Sequence, residues 1–152
     1  MTIQTMSTKI VIKSGGNVFH EIFNQRPQNI TDMSPSNIQS VDLHEGEWGK
    51  VGTIGSWNYT HDGKQNMAKA VVQSIDEENK TVVYKVIGGH LNEMYKTFIT
   101  TLHVETEGEN NTVTWTFDYE KLSEGVEDPT SFMKFVTSLT KDIEKHHNKN
   151  NN

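Results

Sequence analysis

Hydrophobic and polar residues alternate along most of this chain, and a period of two is typical of β-strands. The pattern is clearest at residues 112–121, where one face carries Val113, Trp115, Phe117 and Tyr119. A short β-branched run at 9–13 predicts a first strand that could begin near Gln4. Five further runs rich in β-branched and aromatic residues predict strands at 38–43, 53–61, 67–75, 81–87 and 94–106.

Three segments follow helical spacing instead. The apolar positions of 18–23 predict a first helix that ends before Pro27, because a residue that precedes proline avoids the helical region. Residues 30–36 predict a second short helix. The longest helix has Asp128 as its expected N-cap and Pro129 as its expected first residue. Its apolar stripe consists of Phe132, Phe135, Val136, Leu139 and Ile143.

The predicted order is one strand, two short helices, six strands and a long C-terminal helix. Short turns join the six consecutive strands, which predicts an antiparallel sheet. Asp62-Gly63 is the strongest of these turn signals, since it suits a type I′ hairpin with positive φ at both positions. Helices segregated from strands indicate the α+β class. We expect one domain over residues 1–152, with a disordered tail from about residue 147.

Composition narrows the possible partners. The 152 residues include 14 basic and 20 acidic side chains, a net charge of −6, which argues against a nucleic-acid surface. The absence of cysteine excludes disulfides and a cysteine nucleophile. No apolar run is long enough for a membrane span, and the first residues lack the pattern of a signal peptide. We therefore expect a cytoplasmic protein without membrane insertion, whose oligomeric state is open, with a monomer favoured.

Three glycines at regular spacing, Gly46, Gly49 and Gly52, invite a phosphate-site hypothesis. The Walker pattern of Gly-x₄-Gly-Lys-Ser/Thr is not met, and the loop joins two strands rather than opening a helix. The segment is therefore predicted to be a tight connection whose glycines adopt positive φ.

The seven histidines include no zinc-enzyme motif, so no metal site is predicted. His61 is expected at the surface beside the hairpin turn, while His20 and His90 are retained as possible residues of a cavity mouth. No inward acid or base and no Ser-His-Asp arrangement is indicated. The sequence thus predicts no catalytic residue and no cofactor.

The inward faces of the strands are unusually aromatic, and they are expected to point at the long helix. Two interpretations stay open, a packed core and a ligand cavity, because apolar ligand sites are lined by similar residues. The predicted wall consists of Trp57, Tyr59, Val82, Tyr84, Phe98, Leu102, Trp115, Phe117, Tyr119, Phe132, Val136 and Leu139.

Several motifs resemble those of the plant major latex proteins. They are Asp-Leu-His-Glu-Gly-x-Trp-Gly-x-Val-Gly at 42–52, Trp-Asn-Tyr-x-His-Asp-Gly-Lys at 57–64, Glu-Asn-Lys at 78–80, Tyr-Lys-x-Phe at 95–98 and Tyr-Glu-Lys-Leu at 119–122. The resemblance extends from about residue 4 to residue 146. The chain departs from the family in three places, namely Gly15-Gly16 at the start of the first helix, Gly88-Gly89-His90 where relatives read Glu-Gly-Asp, and an asparagine-rich tail.

The resemblance implies the Bet v I type superfamily and its helix-grip (START-like) fold, a seven-stranded sheet curved around the C-terminal helix with a hydrophobic cavity between them. It also implies binding of a small hydrophobic or amphiphilic molecule, such as a sterol, hormone or secondary metabolite, in plant defence or stress. The expected cavity rim includes Gly49, Gly52 and His90. Alternatives are an enzyme of specialised metabolism that uses the same cavity, and a regulatory protein that associates with a partner when ligand is bound.

Overall fold

The predicted strands form one antiparallel sheet in the computed structural model, which describes residues 2–13, 16–61, 63–108 and 110–150. The strands are β1 Gln4–Ile12, β2 Ile38–Glu45, β3 Ile54–His61, β4 Lys64–Asp76, β5 Thr81–Gly89, β6 Tyr95–Glu107 and β7 Asn110–Lys121. The helices are α1 Gly16–Gln25, α2 Ile30–Met33 and α3 Thr130–Asn150, and short 3₁₀ turns cover Pro27–Asn29 and His90–Glu93.

The sheet has the order β1-β7-β6-β5-β4-β3-β2, so β1 returns to pair with the last strand while β2 to β7 follow as consecutive hairpins. Irregular register interrupts β2 between Ile38 and Ser40 and β4 between Val72 and Ser74. Such bulges bend the strand that carries them and increase its twist. The sheet is therefore curved, as predicted, and its concave side receives the helices.

The long helix α3 lies in this concave side because its apolar stripe packs on the inward faces of the strands. The ring of Phe132 lies 5.4 Å from that of Phe117 and 5.8 Å from that of Phe98. Further along, the indole N–H of Trp115 donates to the Thr140 hydroxyl at 2.9 Å. Burial of each large apolar side chain contributes roughly 1.5–3 kcal/mol. The α+β class and the helix-grip arrangement are thus confirmed.

The predicted N-terminal cap of α3 is wrong. The helix begins at Thr130, after Pro129, and the Asp128 carboxylate accepts hydrogen bonds from elsewhere. Its Oδ1 lies 2.7 Å from the Tyr119 hydroxyl and 3.0 Å from the Lys121 ammonium, and both partners lower the pKa of Asp128. A charged partner competes well for a carboxylate, so this side chain joins β7 to the start of α3. At the other end, α3 continues to Asn150 where a disordered tail was expected.

The second helix is shorter than the predicted 30–36. It ends because Ser34 precedes Pro35 and takes φ −141° and ψ 62°, outside the helical region. The β3–β4 turn has Gly63 at φ +76°, in agreement with the hairpin prediction, whereas Asp62 lies outside the described residues. Strand β4 begins at Lys64 and is longer than expected, because the hairpin pairs His61 directly with Lys64.

Candidate functional site

A cavity of about 90 Å³ lies between α3, α1 and the concave faces of β2 to β7. Seven of the twelve predicted wall residues line it: Trp57, Tyr59, Tyr84, Trp115, Phe132, Val136 and Leu139. The other five, Val82, Phe98, Leu102, Phe117 and Tyr119, are buried in the core but do not line this cavity. The cavity therefore occupies one side of the aromatic face rather than all of it.

Direct packing fills the other side. The rings of Phe98 and Phe117 lie 5.1 Å apart, and Phe132 of α3 contacts both. Aromatic pairs at these separations leave no room for a ligand between them. Strand alternation identified which residues face inward, but the position of α3 determines which of them border free space.

Eight lining residues were not among the predicted wall: Phe23, Ile38, Ala68, Ala70, Val86, Leu91, Thr100 and Phe135. Phe23 belongs to α1, and its ring lies 5.3 Å from Trp115 and 6.2 Å from Trp57. The small side chains of Ala68 and Ala70 leave space on the concave face of β4. Two alanines at alternate inward positions of a strand are a sequence signal that could have located this space.

The Tyr59 hydroxyl is the exceptional polar group of the wall. Tyr59 is 2% exposed, and its hydroxyl oxygen has no hydrogen-bond partner among the described residues. Burial raises its pKa to about 12, so the phenol stays neutral at physiological pH. By contrast, the Tyr84 hydroxyl donates to the Phe23 carbonyl at 2.7 Å, and burial raises its pKa as well. Of these two wall tyrosines, only Tyr59 has a hydroxyl without a hydrogen-bond partner among the described residues.

No lining residue in the described part of the wall has a charged side chain. Tyr59 and Tyr84 are the only titratable residues among the lining side chains that the structure describes. The Trp115 indole N–H is engaged by Thr140, whose own hydroxyl donates to the Val136 carbonyl at 2.7 Å. Within residues 2–13, 16–61, 63–108 and 110–150, no group of three His, Asp or Glu side chains is placed to hold a metal ion.

The β2–β3 loop has the predicted glycine conformations, with φ of +84° at Gly46, +94° at Gly49 and +91° at Gly52. The Gly52 N–H donates to the Val72 carbonyl at 2.8 Å, which attaches the end of the loop to β4. His90 lies in the 3₁₀ turn, with its Nδ1 3.5 Å from a Glu93 carboxylate oxygen, one residue before the lining residue Leu91.

Comparison with known proteins agrees with this architecture along the whole chain. The profile of the pathogenesis-related protein Bet v 1 family matches residues 1–150. MLP-like protein 43 of Arabidopsis thaliana is 37% identical over 143 residues, which cover 93% of this chain and 90% of that protein. The chain belongs to the Bet v 1 family.

Within the Bet v 1 family, the similarity is to major latex proteins. The crystal structure of ginseng major latex-like protein 151 from Panax ginseng superimposes with a TM-score of 0.93 at 50% identity, over 95% of this chain and 97% of that one. MLP-like protein 34 of Arabidopsis thaliana is 39% identical over 147 residues, or 95% of this chain, which spans only 46% of that relative. Norcoclaurine synthase from Thalictrum flavum, at 16% identity and a TM-score of 0.75, shares the fold alone.

The unusual Gly88-Gly89 pair of this Bet v 1 family member has a structural cause at its second position. Gly89 has φ +101°, and a Cβ added there would lie 2.0 Å from the Met67 carbonyl oxygen. Both the positive φ and the close approach of the paired β4 backbone therefore exclude a side chain at residue 89. At Gly88 the nearest atom to an added Cβ is 3.5 Å away, an ordinary contact.

Two histidines of this family member differ in their surroundings. His20 of α1 is 7% exposed, and neither ring nitrogen has a hydrogen-bond partner in the described chain. Burial lowers its pKa, and the Glu77 carboxylate opposes that shift. His61 lies at the surface beside the hairpin, as predicted, with its side chain half-buried, 5.8 Å from the ring of Phe132, and with Nε2 3.0 Å from the Ser131 hydroxyl. The imidazole packs against the aromatic side chains in the first turns of α3.

No helix in the described residues of this Bet v 1 family protein is long and apolar enough to cross a membrane. The 21-residue α3 is amphipathic, and the side chain of Lys141 is exposed while Leu139 is buried.

Proposed function

We propose that this protein binds one small, neutral amphiphile between α3 and the sheet and carries it without chemical change. The observation that carries the proposal is the free Tyr59 hydroxyl in a wall that is otherwise almost entirely apolar and aromatic. Sites for small molecules usually combine such a wall with a few polar anchors. The protein is expected to act in plant defence or stress response, as the description of its family as pathogenesis-related suggests.

The Tyr59 hydroxyl would favour ligands that carry an oxygen atom, because leaving the buried hydroxyl without a hydrogen bond costs free energy. A buried hydroxyl without a partner costs about 1–3 kcal/mol, and a ligand oxygen at hydrogen-bond distance would recover that cost. Because the pKa of Tyr59 is raised to about 12, the group donates a proton in a hydrogen bond rather than acting as an anion. An apolar wall disfavours a charged ligand, whose desolvation nothing offsets. A ring system with one carbonyl or hydroxyl oxygen fits these conditions.

Transport is favoured over catalysis by the same wall. General acid–base chemistry needs a titratable group near the reacting atoms with a pKa close to the working pH. The two titratable groups of the described wall are phenols whose pKa values are raised away from neutrality. The enzyme of specialised metabolism therefore ranks second, and the likeness to norcoclaurine synthase extends to the fold alone.

A pair of matched ligands tests the anchor directly. We suggest titrating 2-naphthol and naphthalene, which differ by one hydroxyl, into the wild-type protein and into Tyr59→Phe, with tryptophan fluorescence as the signal. The wild type should bind 2-naphthol more tightly than naphthalene. In Tyr59→Phe the ratio of the two affinities should fall about tenfold, which corresponds to about 1.4 kcal/mol of binding free energy. Tyr84→Phe is the control, because the Tyr84 hydroxyl is already bonded to Phe23. Equal preference in wild type and Tyr59→Phe would refute the anchor, and no binding of either ligand would refute the carrier.

A further inference from the structure

The β2–β3 loop places a tryptophan over a glycine on the concave face of the sheet. A Cβ added to Gly55 would lie 2.5 Å from Cη2 of the Trp48 ring and 3.1 Å from its Cζ3. Gly55 pairs with Ala70, which lines the cavity, and it precedes Trp57, another lining residue, by two positions. Because side chains alternate along a strand, Gly55 faces the same side as both. The Trp48 indole therefore lies beside the cavity, in space that a larger residue at 55 would occupy.

The loop that carries Trp48 extends from the sheet to the end of α1. Glycines with positive φ stand at 46 and 49, on both sides of Trp48. A Cβ added to Gly49 would lie 3.4 Å from Cγ of Gln25, the last residue of α1, so the loop reaches across to the helix that supplies Phe23 to the cavity. The far end of the loop is fixed to β4, where the Val72 N–H donates to the Thr53 carbonyl at 2.8 Å.

The cavity is too small for a drug-sized ligand, so the mobility of the residues around it matters for binding. Sites for drug-sized ligands occupy about 300–1,000 Å³, and even an engineered cavity that binds benzene measures about 150 Å³. The present cavity of about 90 Å³ holds little until a wall residue moves. Most wall residues belong to strands or to α3, which are held by backbone ladders and aromatic packing. Trp48 belongs to a glycine-flanked loop, and its side chain is only half-buried.

We propose that Trp48 determines the size of ligand that the cavity accepts. Its indole fills the place that Gly55 and Ala70 leave open, and its displacement joins that place to the existing cavity. Single-ring compounds need only small adjustments of the wall around the cavity of about 90 Å³, whereas ligands of several fused rings bind only when the indole moves away. This inference rests on the proposed carrier function and names the residue that limits it.

The test compares three hydroxylated ring compounds of increasing size: phenol, 2-naphthol and 1-hydroxypyrene. Dissociation constants are measured for the wild type, Trp48→Ala, Trp48→Leu and Gly55→Ala. In Gly55→Ala the new methyl group competes with the far edge of the indole and forces it to shift. Val51→Ala is the control, since this side chain of the same loop is 62% exposed. Thermal unfolding confirms that each variant is folded, and Trp48→Leu replaces Trp48→Ala if the latter does not fold.

The expected result is a size-dependent gain. The affinity for 1-hydroxypyrene relative to phenol should rise about tenfold or more in Trp48→Ala and Gly55→Ala, which corresponds to about 1.4 kcal/mol, and stay unchanged in Val51→Ala. An unchanged ratio in both variants, or an equal loss of affinity for all three compounds, would overturn the inference and leave the carrier function intact. If no compound binds to any variant, both the carrier function and the role of Trp48 are refuted.

Discussion

Tyr59→Phe is expected to stabilise the ligand-free protein, which is unusual for a substitution in a core. The change removes one oxygen atom that is buried and has no partner among the described residues. The same change at Tyr84 removes a hydroxyl that donates to the Phe23 carbonyl at 2.7 Å. The two substitutions are chemically identical and both residues line the same cavity, so their difference reports only on hydrogen bonding.

The magnitude follows from the two environments. Removal of an unpaired buried hydroxyl recovers part of its desolvation cost, so the free energy of unfolding should rise by about 1 kcal/mol in Tyr59→Phe. Loss of a satisfied hydrogen bond should lower it by about 1 kcal/mol in Tyr84→Phe. The two variants should therefore differ by about 2 kcal/mol, or roughly 4–8 °C in Tm for a domain of this size.

Urea unfolding at 25 °C measures this difference, with protein refolded from denaturant so that no ligand is carried over. The unfolding slopes should match the wild type, which shows that the compactness of both states is unchanged. If both variants are destabilised equally, the Tyr59 hydroxyl is already paired in the free protein and cannot serve as the open anchor.

Three further predictions concern residues outside the anchor. Gly89→Ala should destabilise the protein by more than 1 kcal/mol, because of its positive φ and the nearby carbonyl, whereas Gly88→Ala should be tolerated in the same urea titration. Thr140→Val should cost about 1–3 kcal/mol, because it leaves a buried indole N–H unpaired, and calorimetry would show the lower Tm. His20 has a lowered pKa in the folded state, because burial disfavours its charged form. Its contribution to the free energy of unfolding should therefore be fully present above pH 6.5, the ordinary pKa, and be lost as the pH falls below that value. His20→Gln should flatten that fall, measured by urea unfolding at several pH values. An unchanged slope in His20→Gln would contradict the assignment.

The architecture was accessible from the sequence because its signals are local and repeated. Alternation along the last strand identified its buried face, and the motifs at 42–52 and 57–64 indicated the family. The Asp128 cap was predicted incorrectly because a local rule ignored Tyr119 and Lys121, which come from a neighbouring strand. Competition between the helix terminus and partners in another element is decided only by the folded chain.

The site was less accessible than the fold for a similar reason. Periodicity shows which side chains face inward, but free space depends on where large residues meet small ones. Phe98 and Phe117 face inward and are packed solid, while Ala68 and Ala70 border the cavity through their lack of bulk. Likewise, nothing local distinguishes Tyr59 from the other tyrosines, because its distinction is the absence of a partner in three dimensions.

The central claim is that the space between α3 and the sheet holds a small hydrophobic molecule. Native mass spectrometry of the folded protein after incubation with plant extract tests it most directly. We predict a complex of one protein with one bound molecule of a few hundred daltons, which 2-naphthol displaces and which Tyr59→Phe retains less well. A spectrum that contains only the mass of the unliganded chain would contradict the claim.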